Sequence, residues 1–112
     1  MSVVLLITYH TSEKENRLVP IATEGTFQDY WQPISAVLGL KWLPLFQGGV
    51  PIPAEDIPCI IDELSTLRNY ISRKFHPALS QDMANLMEAR IDTLIPELEH
   101  FQDDKDAEIF IG

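Results

Sequence analysis

The chain is poor in most of the features that declare a function. Its 112 residues include one cysteine, Cys59, so no internal disulfide forms; that excludes a disulfide-stapled secreted scaffold and fits a reducing compartment. No apolar run approaches the ~20 residues needed to cross a bilayer. The N-terminal "MSVVLLITYH" has no basic residue ahead of its apolar stretch and no small-residue cleavage site. These absences predict a soluble cytoplasmic protein with no membrane partner. Cations are scarce as well: eight Lys and Arg face 17 Asp and Glu, a net charge of −9. Residues 82–112 alone hold nine acids against Arg90 and Lys105. A surface of this kind is unsuited to nucleic acid, where each phosphate contact wants a cation. Repeats, linkers and low-complexity segments are missing too, so the length predicts a single globular domain over 1–112. A chain of this size buries somewhat over 60% of its unfolded surface, enough to fold without a structural metal.

Catalytic signatures are equally thin. The Gly48-Gly49 pair continues as "GGVPIP", without the Lys and Ser/Thr through which a phosphate-binding loop meets phosphate and magnesium. Its prolines also remove N–H donors, so this segment reads as a stiff corner before a helix, with Trp42, Leu45 and Phe46 tucked beneath it. No G-x-S-x-G is present. Cys59 lies beside an apolar helical stripe and reads as buried and inert. Glu97 and His100 form one E-x-x-H, where a di-iron bundle uses two with further glutamates. The acid-rich "DDKDAE" at 103–108 lacks the glycine and closing glutamate of a calcium loop. No catalytic residue, cofactor or metal is expected.

What is present is secondary-structure grammar. "VVLLIT" (3–8) is a strand-type run whose two faces, Val3/Leu5/Ile7 and Val4/Leu6, are both apolar, which predicts a central strand covered on both sides. "RLVPIAT" (17–23) predicts a second strand, held to an edge by Pro20. Phe27, Tyr30, Trp31, Ile34, Val37 and Leu38 recur at helical spacing, with Thr26 as N-cap and Gly39 as C′ residue. Pro33 predicts a kink or a tight first turn. Ile57, Ile60, Ile61, Leu64, Leu67, Ile71 and Phe75 mark a second helix, closed by Arg73, Lys74 and His76 and stopped by Pro77. A third starts near Ser80, with Met83, Met87, Leu94, Leu98 and Phe101 inward and Pro96 bending it. "AEIFIG" (107–112) is a candidate strand for pairing with the first. The expected fold is α+β: a small sheet of two to four strands with three helices packed on it, the N- and C-terminal strands paired.

The stretch from Tyr30 to Tyr70 combines an aromatic helix, "GLKWLPLF", a Gly-rich bend and the acidic entry to "IIDELSTLRNYI". It resembles a diffuse group of small acidic bacterial proteins, assigned as immunity proteins, that are encoded beside polymorphic or contact-dependent toxins. The resemblance implies inhibition by binding, with no catalytic residues to transfer. The residues themselves supply a partner surface. Glu88, Asp92, Glu99 and Asp103 share one face of the third helix, continued by Asp104 and Asp106, and such a face steers association with a basic protein. The expected function is therefore that of a non-enzymatic cytoplasmic binding protein which neutralises a protein partner, such as a basic toxin. Two alternatives come from other classes. One is a small-ligand protein or enzyme with a pocket near Tyr9, His10 and the Trp42–Phe46 segment. The other is a homodimeric scaffold joined edge to edge through the strand at 107–111.

Overall fold

The structure, a computed structural model, describes residues 2–11, 15–73 and 79–112. Four strands form one antiparallel sheet in the order β2-β1-β4-β3, with β1 at Ser2–Tyr9, β2 at Arg17–Thr23, β3 at Val50–Ile52 and β4 at Ala107–Ile111. The terminal strands β1 and β4 pair as expected, from Leu5↔Ile111 to Tyr9↔Ala107. Each buries alternate residues: Val3, Leu5 and Ile7 on β1, Ile109 and Ile111 on β4. Pro20 does sit on an edge strand, and the β1–β2 register slips between Val3 and Val4 to accommodate it.

Three helical stretches pack on one face of this sheet. The first, α1 (24–37), runs through an α turn at Glu24–Thr26, a π-helical segment at Phe27–Trp31 and an α segment at Gln32–Val37. Its N-cap is Thr23, whose hydroxyl accepts the Thr26 N–H, and not Thr26. The π segment is the answer to Pro33. Lacking an N–H, Pro33 cannot bond the Asp29 carbonyl, and Gln32 instead reaches back five residues to Phe27. The turn is therefore widened, where the sequence predicts a kink or a tight first turn. Gly39 ends α1 at φ 68°, with Leu40 N–H on Ser35 O and Gly39 N–H on Ala36 O, the paired bonds of a Schellman cap.

Helices α2 (Ile57–Ser72) and α3 (Gln81–Phe101) form an antiparallel pair. The buried stripe of α2 is Ile57, Ile60, Leu64, Leu67 and Ile71; that of α3 includes Ala84, Met87, Ile91, Leu94, Leu98 and Phe101. Ser80 caps α3 by accepting the Met83 N–H, and the helix continues through Pro96 to Phe101. Phe75, Lys74, His76 and Pro77, expected at the end of α2, lie outside the described residues.

Four further expectations are corrected. The outer face of β1 is uncovered, because all three helices lie on the other side: Val4 and Leu6 are only half-buried and do not pack on the core, while Leu18 and Phe110 on the flanking strands are exposed. Cys59 is exposed, since it lies well round the helix from the Ile57–Ile60–Leu64 stripe. Leu45 is half in solvent, leaving Phe46 and Leu43 as the buried members of the corner. The fourth concerns β4, which lies between β1 and β3, so both its edges are occupied and it offers none to a second chain.

The Gly48-Gly49 corner is also the lead-in to β3. Gly49 has φ 86°, and a Cβ there would come within 2.8 Å of Phe110 Cζ on β4. The glycine is thus required twice, by its backbone and by the ring lying over it. Gly49→Ala is expected to lower stability by about 1–2 kcal/mol, read as the urea midpoint. Adding Phe110→Ala should return only the steric part of that loss.

Candidate protein-binding surface

The six acids of the expected surface fall into three pairs with different duties. Glu88 and Asp92 face α2 across the helix seam. Asp92 accepts two hydrogen bonds from Arg68, at 2.6 Å from Nε and 3.0 Å from Nη2. Arg68 Nη1 donates to Ser72 Oγ at 3.1 Å, and Ser72 donates to Glu88 at 2.9 Å. The chain Asp92–Arg68–Ser72–Glu88 stitches the last turns of α2 to α3. The hydrogen bonds from Arg68, aided by its positive charge and opposed by slight desolvation, hold the Asp92 carboxyl below the ordinary carboxylate range. A depressed acid adds stability above its unfolded pKa of about 3.9 and loses it as pH falls through the lower folded value. Both side chains are more than a third exposed, so solvent screens the pair and the gain stays under about 1 kcal/mol. The expected result is a small stability difference between wild type and Arg68→Met at pH 7 that shrinks as acidification protonates Asp92 in the folded chain, followed by urea unfolding across pH.

Asp104 and Asp106 hold the turn between α3 and β4. Asp104 Oδ1 accepts the Asp106 N–H at 3.0 Å. Asp106 in turn accepts from Thr11, through Oδ1 from its N–H at 3.2 Å and through Oδ2 from its hydroxyl at 2.9 Å. His10 N–H meets the Asp106 carbonyl at 2.9 Å. These carboxylates fix the end of β1 to the last turn of the chain, a local task that acid spacing alone does not reveal.

Glu99 and Asp103 remain. Both are exposed and have no hydrogen-bond or ionic partner among the described residues. Glu99 lies in the last turn of α3, whereas Asp103 lies in the turn beyond the helix end at Phe101, so it does not continue the helical face that the spacing predicts. There a shallow depression of about 300 Å³ opens, lined by Ala54, Gln102, Asp103, Asp104 and Lys105. Ala54 belongs to the 3₁₀ turn Ala54–Asp56, so the acids Glu55 and Asp56 enter the same neighbourhood. The acidic surface thus narrows to one end of the α2–α3 pair.

The other motifs disperse. Glu97 forms a 2.6 Å ion pair with Arg17 on β2, tying α3 to the sheet edge, while His100 is exposed with its ring edge-on to Phe101. Among the described residues no group of three or more His, Cys, Asp or Glu is placed to hold a metal. Tyr9 packs edge-on against Phe101, with ring centroids 6.0 Å apart. His10 lies 3.5 Å from Glu108 in the open. Neither lines any of the three depressions described, and the Trp42–Phe46 segment is held elsewhere, by Glu63 of α2. Ser35, fully buried with an unpartnered hydroxyl, lines none of them either.

Against this geometry, comparison with protein-family models, with curated proteins and with solved structures finds no match. No helix among the described residues is long and apolar enough to cross a membrane.

Proposed function

We propose that the chain is a non-enzymatic, cytoplasmic binding protein of the immunity or inhibitor type, which neutralises a basic protein partner such as a toxin. The observation that carries this reading is the pair Glu99 and Asp103: two exposed carboxylates, unpartnered among the described residues, in a chain of net charge −9, with Asp103 lining a shallow depression together with Asp104 and Lys105. A carboxylate facing only water is free to meet a Lys or Arg without first giving up an internal partner, and a run of them raises encounter rates with a basic surface. For a toxin that acts on nucleic acid, these carboxylates would stand in for phosphates. Glu88 and Asp92, already tied to α2, add field but few new contacts.

The test is capture. The immobilised protein is exposed at low salt to a lysate of its own source, and bound proteins are released by a salt step. The expected result is one basic protein eluting with salt. Release of nothing, or only of proteins that Glu99→Lys/Asp103→Lys captures equally well, would refute the reading.

A further inference from the structure

Among the described Lys and Arg, only Arg68 and Arg90 are half-buried. Arg68 is satisfied by Asp92 and Ser72. Arg90 has neither a hydrogen-bond nor an ionic partner among the described residues, although the chain holds 17 acids. Partial burial strips water from a guanidinium, and its N–H donors then want an acceptor. Helical spacing explains why α3 supplies none. One turn away on either side are Leu86, Met87, Thr93 and Leu94, all uncharged, and the Thr93 hydroxyl is turned back onto the Ala89 carbonyl.

Arg90 lines a recess of about 90 Å³ between β2, the first turn of α1 and α3, the most closed of the three depressions described. Its apolar wall is Ile21, Ala22, Trp31 and Leu86, and Thr23 and Thr26 add two hydroxyls. No carboxylate lines it; Glu24, next along the chain, is exposed and stands outside the lining. The hydroxyl protons can be followed. Thr23 Oγ1 accepts the Thr26 N–H at 3.2 Å and donates to Thr26 Oγ1 at 2.8 Å. The Thr26 hydroxyl therefore keeps its own proton to donate, and no acceptor for it stands among the described residues. The side chains of the recess thus offer donors, one of them charged, beside an apolar wall, which is the composition of a small-molecule site.

We propose that this recess binds a singly charged carboxylate with a short apolar tail. The planar guanidinium fork matches a carboxylate through two parallel hydrogen bonds, and the Thr26 hydroxyl adds a third donor. One cation offsets one negative charge. A phosphate dianion would bring a second that nothing in the lining meets, in a chain already at −9. Size sets the tail. The recess has room for about three water molecules at roughly 30 Å³ each, enough for the carboxylate and a few carbons against Trp31, Ile21 and Leu86. Leu86, 44% exposed at the rim, leaves the mouth open to solvent. Two sources share this chemistry: a free short-chain acid, and the C-terminal carboxylate of a peptide that ends in a small aliphatic residue. The site is separate from the acidic surface, since Glu99 lies nine residues further along α3, roughly 14 Å at 1.5 Å per residue. Binding is weak, with Kd in the millimolar range, because the ion pair stays partly in water and the ligand is small.

Titration of the whole chain with sodium butyrate to about 50 mM at fixed ionic strength, followed by proton–nitrogen NMR, tests the proposal. Saturable shifts are expected at Thr23, Thr26 and the Arg90 Nε–H. Butyramide, of the same shape but uncharged, should leave them unmoved. Arg90→Gln should weaken butyrate by at least about 10-fold, and Thr26→Val by about 5-fold. Circular dichroism melting establishes that both variants fold. Arg73→Gln, which alters a different depression, should bind butyrate as the wild type does. An acetylated peptide ending in a free valine carboxylate, set against its amide, separates the two sources. Tighter binding of the peptide acid than of butyrate assigns the recess to a chain terminus, and binding of butyrate alone assigns it to a free acid. Absence of saturable shifts with either acid would overturn the proposal. Shifts that butyramide or inorganic phosphate reproduces, or that a folded Arg90→Gln retains in full, would do the same. None of these results bears on capture through Glu99 and Asp103, so the two readings fail separately.

Discussion

Replacing Glu63 by alanine is expected to lower the melting temperature by on the order of 10 °C, a large effect for a side chain that is only half-buried. The carboxylate stands at the start of the 3₁₀ turn Leu43–Leu45. It accepts the Trp42 N–H through both oxygens, at 3.0 and 3.1 Å, and the Leu43 N–H at 3.2 Å. From the other side, Gln32 Nε2 donates to the Pro44 carbonyl at 2.9 Å. The corner between α1 and β3 is thus pinned by α2 and α1 together, and the pin brings Leu43 and Phe46 into the core. Hydrogen bonds to a charged group contribute about 1.5–3 kcal/mol, and the donors left behind are part-buried, so the loss is about 3 kcal/mol. Glu63→Gln keeps one carbonyl oxygen and should cost about half as much. Glu99→Ala, with no partner among the described residues to lose, should stay within about 0.5 kcal/mol. A Glu63→Ala variant that melts with the wild type would show that packing alone sets the corner.

The same segment shows what the sequence can and cannot reveal. Helices announce themselves through periodicity, and Ile57 to Ile71 and Met87 to Phe101 bury nearly the residues their spacing predicts. Strand β3 does not, because three residues, Val50–Ile52, are too few for a pattern and Pro51 argues against a strand. It exists because β4 offers it an edge, which is a fact about the far end of the chain. The outer face of β1 is illegible for a related reason. An apolar residue at Val4 or Leu6 looks the same in sequence whether a helix, a second chain or solvent lies over it. Cys59 departs from expectation differently, since one position along a helix is a turn of about 100° and carries a residue from core to surface. The acidic face is legible as spacing, yet its division of labour is not. Arg68 and Ser72, which engage Asp92 and Glu88, are about twenty residues away in sequence, and Thr11, which engages Asp106, is 95 away.

That division decides which carboxylates to reverse. Glu99→Lys together with Asp103→Lys is expected to slow association with the basic partner by roughly 10- to 100-fold at low salt. Folding should be untouched, because neither side chain has a described partner. Asp92→Lys is a poor probe, since it would set an ammonium against Arg68 and loosen the α2–α3 seam. Changes at Asp104 or Asp106 would break the turn that anchors β4 to the end of β1. The paired reversal moves the net charge from −9 to about −5, which weakens the long-range field, and it also places two cations at the point of closest approach. The two causes separate by salt. Near 1 M the Debye length is about 3 Å, so the distant field vanishes and any remaining deficit reports contacts made in the complex. Dissociation rates should then carry the residual difference, as they do for groups buried at an interface. Stopped-flow association measured from low to high salt reads both parts. An association rate at low salt equal to that of the wild type would remove Glu99 and Asp103 from the binding surface and leave the acidity of α3 as solvation alone.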